Sequence, residues 1–310
     1  MYAPTELHDM RSLAVTLILV AGGFSGAGAQ EVVGRKETVF NISERLASGD
    51  WLRIASPNGA IGITQGSGDR VEIRAEKEVR RGALEDVGFV VRKESGSLTV
   101  CAVFEDEDEC GSNGNYQGHS GSRWRSRSEP SVNFTVRIPA GVRVKAATGN
   151  GDVSVVGAGS EVSATTGNGQ VNVSGTTGEV TASTGNGRIV VDGARGPVEA
   201  STGNGDVRVT TSLGPVTASS GNGDIDVAMD RIEASSSMNF STGNGRITIT
   251  VPEGFGAELE SNTGSGSISS DFPIRVRGRI SPTRVRGTLG NGGGRLVMSS
   301  GSGDIAIRKR

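Results

Sequence analysis

Aromatic residues make up only 4% of this 310-residue chain. Phe, Tyr and Trp supply much of the bulk of an ordinary globular core, so a thick core is excluded and a narrow one is required. A surplus of one charge is missing too, with 32 Lys and Arg against 34 Asp and Glu. No basic stripe is present, so nucleic acid is not expected as a partner. Histidine is scarce: beyond residue 30 the chain has only His119, among Gly118, Ser120 and Gly121. A catalytic base needs a rigid neighbour to orient it, and this loop offers none. Clustered carboxylates occur only as Glu105-Asp106-Glu107-Asp108-Glu109. Like charges in succession read as a solvated loop. No catalytic residue, cofactor or metal is assigned on these grounds.

Long apolar runs are absent as well. The longest, Leu13–Val20, is too short to span a membrane as a helix. It precedes small residues and an Ala27-Gly28-Ala29 cleavage pattern, so residues 1–29 read as an export signal. Glu6 and Asp9 do not suit the positive start of such a signal, whereas Met10-Arg11 does, which makes Met10 the better initiator. No lipid-anchor Cys follows the signal. The ending Ile307-Arg308-Lys309-Arg310 is not a hydrophobic anchor. The expected localisation is the periplasm, cell surface or medium, with no transmembrane segment after export. Only two cysteines are present, Cys101 and Cys110. Export makes a disulfide between them the default, closing a short acidic loop.

What the chain has in quantity is glycine, 49 residues, much of it in fixed register. Thr148-Gly149-Asn150-Gly151 returns at 166, 184 and 202, and as Ser220-Gly221-Asn222-Gly223, in steps of 18. Within a unit, Val153 and Val155 alternate with polar residues, then Val162 and Ala164 do so after a Gly-rich turn. Period two with β-branched residues marks half-buried strands. A fixed short period marks a unit that stacks on its neighbours. The pattern predicts an all-β fold, a single-stack parallel β-solenoid with two-strand coils of about 18 residues and irregular capping ends. Val153, Val171, Ile189, Val207 and Ile225 are expected to stack in the core. Asn150, Asn168, Asn186, Asn204, Asn222 and Asn244 are expected to form a structural turn ladder.

The organisation follows. Residues 30–141 are the N-terminal β region with an insertion at 111–130, residues 142–251 carry the regular repeats, and 252–310 hold irregular coils and a cap. Only Val79–Val87 suggests a helical turn or two.

These residues resemble a known family. The repeats Gly-Asn-Gly-Asp-Val-x-Val and Val-x-Ala-Ser-Thr-Gly-Asn-Gly are similar to those of the bacterial "putative adhesin" or toast-rack family of unknown function. So are Val251-Pro252-Glu253-Gly254-Phe255-Gly256-Ala257 and the ending Gly301-Ser302-Gly303-Asp304-Ile305. The resemblance covers roughly residues 35–310. It implies a β-solenoid of the bacterial envelope or of secreted proteins, and no established reaction or ligand.

Two patterns invite a ligand. Asp follows the turn at Asp69, Asp152, Asp206, Asp224 and Asp304, as in calcium-binding β-rolls, but Gln170, Arg188 and Arg246 occupy the equivalent places in other coils. Calcium wants converging oxygens, which a stacked Arg opposes. Outward Ser163, Thr165, Thr181, Ser183, Ser201, Thr217 and Ser219 make a hydroxyl array broken by Glu199. Short hydroxyl side chains suit an exposed sheet without any ligand. The insertion is the remaining candidate: Arg123, Trp124, Arg125 and Arg127 form an interaction loop, with Trp124 as anchor. The expected function is an exported, non-enzymatic, adhesin-like solenoid with a structural or surface-interaction role. Its partner would be an envelope protein, a glycan or an anionic surface. The alternative is an envelope-stress sensor binding a partner or membrane surface. A secreted glycan-acting enzyme, or an ice- or carbohydrate-binding face, fits the residues less well.

Overall fold

The computed structural model describes residues 31–104, 109–111, 113–117, 130–211, 213–232, 236–278 and 281–310. Among these the chain is a two-walled parallel β-solenoid, with sheets of 14 and 12 strands facing each other. Each coil contributes one strand to each wall. On the 12-stranded wall, Val153, Val171, Ile189, Val207, Ile225 and Ile247 stand in register and are buried. The opposite wall carries one file of Val144, Val162, Val180, Val198 and Val216. Beside it runs a file of Ala146, Ala164, Ala182, Ala200 and Ala218. Alanine opposite valine keeps the walls close, so the core of these coils is one side chain deep, and the alanine file gives way to an aromatic only at Phe240, in the next coil. Full burial of each Val is worth about 1.5–3 kcal/mol, and the repeat multiplies it.

Every residue of the Thr-Gly-Asn-Gly corner has a job in the stacking. Thr166 Oγ1 donates to the carbonyl of Gly151 at 2.8 Å, and Thr184 and Thr202 repeat this on Gly169 and Gly187. The Asn side chains join head to tail: Asn168 Nδ2 donates to Asn150 Oδ1, Asn186 to Asn168 and Asn204 to Asn186, each at 2.8 Å. Asn222 and Asn244 continue the row, and Asn150 donates to Asn58 at its start. The second glycine has positive φ, +154° at Gly187. A Cβ there would lie 1.9 Å from the Gly169 carbonyl oxygen of the preceding coil.

Aromatics gather where the stack must be closed. Phe89 stacks on Phe40 at 4.6 Å and meets Phe134 edge-on at 6.1 Å. They lie under an antiparallel group, Val39–Arg45, Arg70–Val79 and Pro130–Ile138, which then joins Ile61–Gln65 in parallel. Within this cap Lys77 is 3% exposed. Its Nζ donates to the carbonyls of Gly34 and Val87, both at 2.6 Å, and lies 5.5 Å from the Phe89 ring. Burial pushes its pKa down to about 8, against the attraction of Glu37 and with some help from Arg35. The only helical piece among the described residues is a single 3₁₀ turn at Leu84–Asp86, inside the stretch that suggested one.

Stack order departs from chain order at the other end. The coil of Arg295–Ser302 and Ile305–Lys309 lies between the coil of Met238–Asn244 and Ile247–Val251 and that of Ala257–Ser265 and Ile268–Ser270. It is parallel to both neighbours in both walls. Leu296, Met298, Ile305 and Ile307 are buried within the slot.

Carboxylates seal this joint. Glu260 is held below its ordinary range by hydrogen bonds from Arg286 and Arg295. Asp271 is lowered by the Lys309 backbone N–H and then by Arg308, and Asp304 by the N–H and hydroxyl of Ser267. A carboxylate with a lowered folded pKa stabilises fully above its unfolded value and loses that contribution as pH falls through the folded one. The three ordinary values are 4.5, 3.8 and 3.8, so the joint is expected to weaken as pH drops below that range. Hydrogen-exchange protection factors at pH 6 and pH 3 should fall for residues 257–270 while those of 162–211 hold. Uniform loss along the chain would contradict this.

Candidate functional site

The outward face of the 14-stranded wall changes character along its length. Over the regular repeats it presents a hydroxyl file, Thr165, Ser183, Ser201, Ser219, Ser241 and Ser299, one per coil. Ser219 Oγ donates to Ser201 Oγ at 3.1 Å, so these hydroxyls partly satisfy each other as sheet neighbours. Toward the N-terminal end this file ends in Ala147 and Ala55, and the outward positions two and four residues before it become basic and aromatic. Alternation sends Leu52 and Ile54 inward and leaves Trp51 and Arg53 outward. In the adjoining strand Arg143 pairs with Trp51 and Lys145 with Arg53.

These four side chains form one cluster. The Arg143 guanidinium lies 4.7 Å from the Trp51 ring centre and that of Arg53 lies 5.4 Å from it. Each such contact is worth about 0.5–1 kcal/mol at a partly exposed site. Arg143 is fixed further, donating from Nε to the Gly49 carbonyl at 2.7 Å, with Glu161 3.9 Å away. Lys145 Nζ donates to the Asn113 carbonyl and to Asn115 Oδ1, both at 2.9 Å. Partial burial lowers its pKa, and repulsion from Arg53 adds to that. Trp51, Arg53, Arg143, Asn113, Asp50 and Glu94 line a hollow here.

The hairpin beside it, Glu109–Cys110 with Tyr116–Gln117, is fastened from below. Cys101 points to the outer side of its strand and is bonded to Cys110, with Cα atoms 6.0 Å apart. The pair sits in a small outer cluster with Ala55, Val90 and Val103. The tight turn brings Gly114 onto the Arg53 stem, where a Cβ would lie 3.0 Å from that of Arg53. The described residues Asn113, Gly114 and Asn115 therefore sit against the Arg53 and Lys145 side chains of the Trp51 cluster. Arg123, Trp124, Arg125 and Arg127 lie outside the described residues, as do His119, residues 105–108 and the expected export signal at 1–29.

Four of the five turn aspartates accept backbone N–H groups, while Asp69 meets Arg45 at 3.3 Å. Asp152 Oδ1 accepts the Gln170 N–H at 2.8 Å, Asp224 that of Arg246 at 2.7 Å, and Asp304 that of Ser267 at 2.8 Å. Where two coils bring opposite charges together they pair, Arg188 with Asp206 at 3.3 Å and Arg208 with Asp226 at 3.1 Å. Among the described residues no group of three metal-ligating side chains occurs.

Sequence reasoning passed over Trp51. The signal was Trp51-x-Arg53 at outward positions, with Arg143-x-Lys145 opening another strand. Their meeting depends on pairing two strands separated by the entire N-terminal cap and the insertion.

A family profile described as Toastrack DUF4097 matches residues 50–308. Two solved structures match the chain. A "putative cell adhesion protein" from Clostridium sporogenes is 10% identical, with 88% of this chain and 100% of that one covered and a TM-score of 0.28. A "putative adhesin" from Bacteroides fragilis is 10% identical, with 88% and 98% covered and a TM-score of 0.42. Among curated proteins none matches the chain.

Proposed function

This chain belongs to the Toastrack DUF4097 family, and we propose that it is an exported, non-enzymatic, adhesin-like solenoid that attaches to an anionic surface of the cell envelope. The carrying observation is the Trp51 cluster. Two guanidiniums held against one indole, with a lysine beside them, form a fixed cationic patch. Guanidinium forks suit carboxylate and phosphate groups, and holding them beforehand reduces the entropy lost on binding. Export is supported by the apolar run before Ala27-Gly28-Ala29 and by the bond between Cys101 and Cys110, which belongs to an oxidising compartment. The sequence of the insertion adds Trp124 and three arginines as further candidates for the same anionic partner.

The test compares wild type, Trp51→Ala, Arg53→Ala and a deletion of residues 118–129. Probes are vesicles with and without anionic lipid and an acidic polysaccharide. Each variant is expected to bind the anionic probe at least about tenfold more weakly, the equivalent of about 1.4 kcal/mol. Binding should weaken with salt. Lipid and polysaccharide arms separate a headgroup from a glycan. Reducing Cys101–Cys110 should weaken binding while leaving the far-UV circular dichroism of the repeats unchanged, because the hairpin lies outside the coil stack. Equal binding by every variant would remove the cluster from the contact.

A further inference from the structure

The coil of residues 295–309 is held in a slot whose walls come earlier in the chain. We propose that this coil is also an exchange element: a second copy of the chain can fill the slot with its own residues 295–309, giving a reciprocal dimer.

The slot is specific for this segment. Its walls supply Glu260, Asp271 and Asp230, and the coil supplies Arg295, Arg308 and Arg310. Arg295 meets Glu260 at 3.0 Å and Arg308 meets Asp271 at 3.2 Å, while Arg310 pairs with Asp230. Hydroxyl contacts add to the match, Ser300 Oγ on the Gly245 carbonyl at 2.9 Å and Ser299 Oγ on Asn262 Oδ1 at 3.1 Å. A foreign strand of alternating apolar residues would satisfy the backbone and leave these groups without partners.

The slot also stands open before it is filled. With residues 295–309 withdrawn, the strands that pair with them in both sheets would be left with unpaired parallel edges. Open edges are where another chain pairs. The coil is reached through Gly290-Asn291-Gly292-Gly293-Gly294, in which Gly290, Gly292 and Gly293 have positive φ. A link of this kind straightens readily, to roughly 17 Å for five residues. An exchanged coil makes the same contacts as the native one, so the two forms differ mainly in linker geometry and chain entropy. The tethered coil acts at an effective concentration in the millimolar range, which favours the monomer in dilute solution. Folding at high local concentration favours the dimer. Reversal requires drawing out a coil paired on both sides, so either form persists once made.

The test uses the outward neighbours Ser241 and Ser299, which are paired across the slot. Full-length S241C and S299C chains are unfolded together with Cys101–Cys110 kept closed, refolded at low and high concentration, and then oxidised. The exchange predicts a covalent dimer of twice 31.8 kDa joining the two variants, rising with refolding concentration. Chains folded separately and then mixed should give none above background. A full-length chain lacking Gly292 and Gly293, whose coil no longer reaches its own slot, should elute as a dimer. Cross-linking no greater than in the separately folded mixture would overturn the proposal, as would a folded monomeric hinge variant. Neither result touches the Trp51 cluster, which lies in a different part of the stack.

Discussion

Gly187→Ala is expected to unfold the repeat region outright or to destabilise it by about 4 kcal/mol or more, the range of severe single substitutions. Two causes combine. The added methyl would stand 1.9 Å from the Gly169 carbonyl oxygen, which is backbone and has no rotamer to retreat into. The φ of +154° is also one that L side chains rarely adopt. Relief requires moving coil 180–194 away from coil 162–174, which costs the Thr184 and Asn186 hydrogen bonds at the same corner. Gly254→Ala is the matched control. Nothing lies within 4 Å of a Cβ at that position, so a change within about 0.5 kcal/mol is expected. Thermal unfolding followed by circular dichroism at the strand band decides it, and similar midpoints for the two variants would refute the account of the corner.

Phe89→Ala should produce the largest loss at the N-terminal end, about 3–5 kcal/mol for deleting a fully buried ring. The ring is the centre of the cap. It stacks on Phe40, meets Phe134 and underlies the Lys77 ammonium, which cannot follow it into a cavity without leaving the carbonyls of Gly34 and Val87. Coils in a solenoid contact only their neighbours, so the damage is expected to stay local. Urea unfolding followed by Trp51 fluorescence in a Trp124→Phe background should shift to lower denaturant. The circular dichroism transition, dominated by the regular coils, should shift less. Coincident shifts of equal size would mean that the cap and the repeats unfold as one unit.

The regular part of the fold was legible because each coil carries the same answer. Val153, Val171 and Ile189 occupy equivalent places 18 residues apart, and period-two alternation leaves one inward choice for each. The Asn row was legible for the same reason, although its start at Asn58 was not, since the insertion and cap interrupt the period there. The place of residues 295–309 was hidden by that same sameness. Ile305-Ala306-Ile307 has the inward pattern of Ile247-Thr248-Ile249, so alternation fits it to any slot. In this slot Arg295, Arg308 and Arg310 meet Glu260, Asp271 and Asp230, pairings that only three dimensions bring together. Of the proposed binding surface, the sequence offered Trp124, an aromatic inside a polar insertion. It did not offer Trp51, which reads as an ordinary strand residue until Arg143 is laid beside it.

The row of asparagines at the corner has a direction. From Asn244 to Asn150 every side-chain amide donates toward the N-terminal end, and from Asn222 to Asn58 each accepts from its neighbour on the other side. Amide units carry roughly 3.5 D each, and units aligned head to tail add. The corner is therefore a wire of like-oriented dipoles, with its N–H end at Asn58, where the amide reaches the Pro130 carbonyl, and its oxygen end at Asn244. Next in the stack come Ser302 and Ser265, so the wire stops where the amides stop. The two ends of the molecule consequently differ in sign along one edge, and a coil laid in backwards would oppose the field of every coil already in place.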